Sequence, residues 1–149
     1  MSANPSPPTG LLPHLIVRGG AAAIEFYRRA FGAELLFDLA MPDGRLGHAE
    51  LSIGPARFML ADEFPEMQCV SPLALQGTPV TLSLYVDDVD ALTARAVDAG
   101  ATLDAPIKDE FYGDRVAMLR DPFGHRWTLH TRIEDVSVDE MRRRMQSST

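Results

Sequence analysis

An α+β fold made of two copies of a β-α-β-β-β unit is predicted by three features of this 149-residue chain. Strand-like and helix-like segments recur in the same order, landmark residues repeat at a near-constant offset, and a Pro- and Gly-rich interval separates the two runs. Val17 and Val86 lie 69 positions apart, Gly32 and Gly100 lie 68, Ala33 and Ala101 lie 68, and Gly54 and Gly124 lie 70. Two copies of one unit explain that narrow drift better than chance. The interval from Asp62 to Pro79, holding Pro65, Pro72 and Gly77, reads as the linker.

The elements follow in order. Residues 1–10, rich in Ser, Pro and Gly, can bury little and read as a flexible lead-in. Leu11 to Val17 is a short apolar strand. Ala21 to Phe31 then places Ile24, Tyr27 and Phe31 on one helical face, with Gly32 as the stop. Leu35 to Ala40, Leu46 to Ile53 and Arg57 to Ala61 read as strands around the Pro42-Asp43-Gly44 and Gly54-Pro55 turns, closing the first repeat over 11–62. The second repeat, 79–131, opens with alternating Thr81 to Val86 and a helix from an Asp87-Asp88 cap to Gly100. Strands at Ala101 to Ile107, Arg115 to Arg120 and Arg126 to Thr131 follow, the last after an Asp121-Pro122-Phe123-Gly124 turn. Within 133–149, Ser137-Val138-Asp139-Glu140 has the form of a capping box, so a C-terminal helix is expected, with Arg142-Arg143-Arg144 as its solvated end.

A net charge of −7 gives long-range electrostatics the wrong sign for nucleic acid or an anionic membrane, which favours a small-molecule or protein partner. The single cysteine, Cys69, supports neither a disulfide framework nor a cysteine zinc site, and a reducing cytoplasm fits it. No signal-peptide pattern and no 18-residue apolar run occurs, so neither secretion nor membrane insertion is expected. Serine-hydrolase elbows, Walker loops, His-Glu-x-x-His and dinucleotide fingerprints are missing from the sequence.

Several stretches carry a family resemblance. Phe26-Tyr27, Phe31-Gly32, Val86-Asp87-Asp88-Val89-Asp90 and Asp121-Pro122-Phe123-Gly124-His125 resemble the vicinal oxygen chelate superfamily across about residues 11–132. That superfamily includes glyoxalase I, extradiol dioxygenases, fosfomycin-resistance enzymes and bleomycin-binding proteins. His48-Ala49-Glu50-Leu51, Phe111-Tyr112-Gly113-Asp114-Arg115 and Trp127-Thr128-Leu129 are similar to its PhnB-like branch. The resemblance implies that the paired units form a curved, cupped mixed sheet, that metal ligands project into the cup, and that the protein is a homodimer with cups completed across a twofold. The implied ligand positions fall on Leu12, Glu50, Thr81 and Thr128, of which only Glu50 is a good donor. No metal cofactor is therefore expected; a displaced divalent-metal set of His14, His48 and Glu50 is the minority alternative.

Strand alternation lists what such a cup shows a ligand. His14 and Ile16, His48, Glu50 and Ser52, Thr81, Ser83 and Tyr85, and Arg126, Thr128 and His130 share the polar face, while their apolar neighbours are buried. Phe64 lies in a stretch, Asp62 to Pro72, that suits a lid, and Arg115 is either aimed at an anionic or planar ligand or held in a strand-end salt bridge. The expected ligand-binding residues are thus His14, His48, Phe64, Thr81, Ser83, Tyr85, Arg115, Arg126 and Thr128, with Glu50 as the catalytic candidate. Two functions stay open: metal-independent sequestration of an aromatic or peptidic molecule, or a lyase or dioxygenase that uses a non-standard metal set or Glu50 as general base.

Overall fold

The structure is a computed structural model and describes residues 4–147; residues 1–3 of the expected lead-in and 148–149 of the tail lie outside the described residues. The chain divides into two units, one ending at Thr78 and the other beginning at Pro79. The first unit runs β1 His14–Val17, α1 Gly20–Phe31, β2 Glu34–Ala40, β3 Leu46–Ile53 and β4 Ala56–Asp62. Its sheet order is β1-β4-β3-β2, with β1 parallel to β4 and the other pairs antiparallel. The second unit runs β5 Thr81–Tyr85, α3 Val89–Ala99, β6 Thr102–Leu103, β7 Lys108–Asp109, β8 Asp114–Arg120 and β9 Arg126–Arg132, in the order β5-β9-β8-β6 with β7 also on β8. The linker holds a 3₁₀ turn at Pro65–Met67 and a one-turn helix, α2 Pro72–Leu75; α4 Val138–Ser147 closes the chain.

The repeat extends into the cores. Leu15, Leu60 and Ala49 lie side by side across β1, β4 and β3, and Leu84, Leu129 and Ala117 do so across β5, β9 and β8. All six are buried. Phe58 opposite Leu51 is matched by Trp127 opposite Leu119, so both sheets present the same apolar face to their helices. Helix entry is also repeated, by side chains from a distant strand. The Asp62 carboxylate accepts from Gly20 N at 2.5 Å and Leu46 N at 2.7 Å, and Thr131 Oγ1 accepts from Val89 N at 2.9 Å. The expected Asp88 cap is present as well, accepting from Ala91 N.

Two elements differ from expectation by more than one residue, and the linker differs in its order. β1 starts at His14, because Pro13 has no N–H to give and Leu11 lies almost fully exposed. The expected strand over 101–107 shortens to β6, and β7 begins only after it; Pro106 cannot donate to a ladder, and Asp104 turns its carboxylate to Arg120. The linker is more ordered than its composition suggests, since Glu63 accepts from Arg18 Nε at 2.9 Å, Ser71 N at 3.0 Å and Ser71 Oγ at 2.7 Å. The Asp121 carboxylate builds the expected turn, accepting from Phe123 N, His125 N and Trp127 Nε1. Arg142 and Arg143 are solvated and paired as expected, whereas Arg144 is half-buried and donates to the Phe111 carbonyl, docking α4.

The Glu63 contacts predict an acid transition in the linker. Arg18 and the two Ser71 donors lower the Glu63 pKa from 4.5 to about 2. A carboxylate whose folded value is depressed contributes stability above its unfolded value and loses it as pH falls. Between about pH 4.5 and 2, wild type is therefore expected to lose stability relative to Glu63→Gln in urea titrations. Parallel curves for the two proteins would remove Glu63 from the acid response.

Candidate functional site

Each sheet turns one polar face away from its helix. On the first, His14, Met59, Glu50 and Phe37 form a row across β1, β4, β3 and β2. A bulge after Leu35 inserts Leu36 unpaired and so brings the Phe37 ring, not an aliphatic chain, opposite Glu50. The His14 and His48 rings meet edge to face at 5.9 Å, and Phe37 lies 5.7 Å from His48. Burial, aided by His48, holds the His14 imidazole below its usual pKa and favours its neutral form.

Glu50 is 4% exposed, and its Oε2 accepts from Arg57 Nη2 at 2.6 Å. The second Arg57 nitrogen, Nη1, donates to the Ser6 carbonyl at 2.6 Å, while Arg57 Nε is buried with no protein partner. Asn4, Pro5, Ser6, Phe37, Glu50 and Arg57 line a hollow of about 340 Å³. Arg57 shares the polar face by strand parity with Met59, yet the sequence reading did not single it out; parity was the signal that could have found it.

The second sheet carries a continuous polar chain. Asp114, fully buried at the start of β8, accepts from Tyr85 Oη at 2.7 Å and Arg132 Nε at 2.6 Å, and lies 3.1 Å from His130 Nδ1. His130 Nε2 is 3.0 Å from Thr128 Oγ1, which is 2.8 Å from Ser83 Oγ. The Tyr85 ring stacks on His130 at 4.8 Å. Burial pushes the Asp114 pKa up, but the donors Tyr85, Arg132 and His130 outweigh it and hold the carboxyl below the ordinary range. Hydrogen bonding to that carboxylate, with some burial, raises the Tyr85 pKa and keeps the phenol protonated.

Of the expected residues, His14, His48 and Glu50 gather on the first sheet, and Ser83, Tyr85 and Thr128 on the second. Thr81 and Arg126 sit opposite each other one row further along β5 and β9, both exposed. Two residues lie elsewhere. Phe64 is buried beneath the Arg45 guanidinium, 4.1 Å from its ring centroid, and bridges to Cys69, so it is part of the linker's own packing. Arg115 takes the salt-bridge alternative, donating to Asp90 at 2.8 Å and to Asp109 at 2.8 Å. Asp114, Arg132 and Arg57 were missed as site residues.

The donor set suits a metal poorly. Leu12 has no donor atom, Glu50 is held by Arg57, and Thr128 is engaged by His130 and Ser83. Among the described residues no three His, Cys, Asp or Glu side chains gather as a metal set, and His48 Nε2 stays 3.8 Å from Glu50 Oε1. No helix among the described residues is long and apolar enough to cross a membrane.

Comparisons place this geometry among known proteins. A sequence profile of the Glyoxalase/Bleomycin resistance protein/Dioxygenase superfamily matches residues 11–129. The uncharacterized Mycobacterium tuberculosis protein Rv0887c is 43% identical over 150 residues, covering 99% of this chain and 87% of its own. The crystal structure of TioX from Micromonospora sp. ML1 superposes with a TM-score of 0.65 at 25% identity, over 85% of this chain and all of its own. The fosfomycin resistance protein FosX from Listeria monocytogenes, crystallised with manganese(II) and sulfate, has the same fold at a TM-score of 0.65 and 18% identity, over 92% of this chain and 98% of its own.

Proposed function

The chain belongs to the glyoxalase/bleomycin resistance protein/dioxygenase superfamily, and from that premise we propose that it is a metal-independent binding protein that sequesters a small aromatic or peptidic molecule, acting as a cytoplasmic homodimer. The observation that carries this reading is the Glu50–Arg57 ion pair at 2.6 Å, which engages the one carboxylate standing at a family ligand position. Leu12, Thr81 and Thr128 at the other three positions support it, since zinc, iron or nickel sites want three or four His, Cys or carboxylate donors. The same pair weighs against Glu50 as a general base, because proton abstraction through Oε2 requires the pair to open. Half-buried Phe37 on the first sheet and exposed Tyr85 on the second each supply aromatic contact area on their own face.

The test is calorimetry of protein purified without chelators against aromatic and peptide antibiotics, bleomycin included, with metal analysis and light scattering on the same sample. Less than stoichiometric transition metal, a mass of twice 16.3 kDa and binding insensitive to chelation are expected. Tyr85→Ala is expected to weaken binding about 3- to 10-fold, from the loss of ring stacking, and Glu50→Gln to weaken it less. One equivalent of metal, lost together with binding on chelation, would overturn the metal-free reading; equal, negligible losses in both variants would move the ligand off these faces.

A further inference from the structure

We propose that the second sheet carries an acyl-transfer site, with Thr128 as nucleophile, His130 as its base, Asp114 orienting the imidazole and Ser83 as oxyanion donor, acting on small activated esters or thioesters. The carrying observation is the unbroken order carboxylate, imidazole, hydroxyl, hydroxyl. Asp114 Oδ2 lies 3.1 Å from His130 Nδ1, His130 Nε2 lies 3.0 Å from Thr128 Oγ1, and Thr128 Oγ1 lies 2.8 Å from Ser83 Oγ. Nucleophile, base and orienting group within hydrogen-bond reach are the arrangement that activates a hydroxyl, on whatever fold it occurs.

Burial grades along the chain in the sense such a site needs. Asp114 is 0% exposed, His130 is 9% exposed, Thr128 is half-buried and Ser83 is open to solvent. The carboxylate end is held in place, since Arg132 and Tyr85 also donate to Asp114, on Oδ1 and Oδ2. The stacked Tyr85 ring fixes the imidazole plane. With its proton on Nδ1, directed at Asp114, His130 presents the Nε2 lone pair to the Thr128 hydroxyl. Ser83 then donates to Thr128 Oγ1, and because a hydroxyl rotor turns freely it can instead donate to an oxygen developing beside that atom. Met118, opposite Thr128 on β8 and 44% exposed, offers an apolar surface for a short acyl chain.

The step balances without a co-reactant other than water. Thr128 Oγ1 bonds to the acyl carbon while its proton moves to His130 Nε2. The bond to the leaving alkoxide or thiolate then breaks, and that group takes the proton from Nε2. Water, deprotonated by the same nitrogen, attacks the threonyl ester, releases the carboxylic acid and returns the hydroxyl to Thr128.

The probe is p-nitrophenyl acetate with the full chain, reading nitrophenolate release and locating the acetyl group by peptide mass mapping. Acetyl on Thr128 is expected, absent in Thr128→Val and restored in Thr128→Ser, while His130→Asn slows acetylation by about 100-fold or more. Ser83→Ala is expected to slow it by about 100-fold through loss of the oxyanion donor. Circular dichroism of each variant verifies folding, and the serine variant keeps the test decisive if the valine variant does not fold. Acetyl found only on Lys108 or the amino terminus, or wild-type rates in both Thr128→Val and His130→Asn, would overturn the proposal. The outcome is independent of the metal-free reading, which rests on metal analysis and ligand calorimetry.

Discussion

Asp114→Ala is expected to lower stability by about 2–4 kcal/mol, seen as a lower urea midpoint with an unchanged slope. Its carboxylate has no solvent exposure and serves Tyr85, His130 and Arg132 together. Removing one partner of a buried charged network costs more than the network contributes net, because the groups left behind keep their desolvation penalty. The figure sits below the full buried-pair cost because Tyr85 and the Arg132 side chain are 59% and 49% exposed, and water reaches both once the carboxylate is gone. The loss should be shared: the Tyr85 pKa falls back toward its ordinary value when its acceptor is removed, which a spectroscopic titration of the phenol reads directly. A variant with wild-type midpoint and an unmoved Tyr85 titration would show that this network does not hold the sheet.

Gly113→Ala, one residue earlier, is expected to cost about 3 kcal/mol or more, the sum of backbone strain and forced overlap. Gly113 has φ +100, and a Cβ there would overlap the Glu134 carbonyl oxygen and stand 3.0 Å from Val136 Cγ2. Relief is blocked because the Gly113 carbonyl accepts from both Ile133 N at 2.8 Å and Glu134 N at 3.0 Å, which ties the start of β8 to the chain leaving β9. Gly54→Ala is the control, with φ +55 and open space around the added carbon, so only the strain of about 1 kcal/mol is expected. Equal thermal or urea midpoints for the two variants would show that the overlap at Glu134 is relieved without cost.

The repeat, the helix stops at Gly32 and Gly100, the strand β3 and the buried faces of both sheets were all legible in the sequence, because each rests on periodicity or on a residue's own backbone preference. These signals are local. Strand parity alone also puts His14, His48 and Glu50 together, and Ser83, Tyr85 and Thr128 together. Parity names the face on which a side chain stands, but not what it touches.

The partners were decided by tertiary structure. Asp114 and Arg115 are adjacent in sequence, yet successive residues of a strand point to opposite faces, so Asp114 finds Arg132 across the ladder and Arg115 finds Asp90 and Asp109. Arg57 reaches Glu50 because β3 and β4 pair in a register that sets Ser52 opposite Arg57 and Met59 opposite Glu50; a slip by one residue would send the guanidinium to the other face. The bulge that brings Phe37 to Glu50, and the Asp62 carboxylate that caps a helix beginning 42 residues earlier, likewise depend on where strands meet in space. A hydrogen bond is made or lost over less than an ångström, and distances on that scale are set by register, bulge and burial after the chain has folded, whereas periodicity is carried by each segment alone.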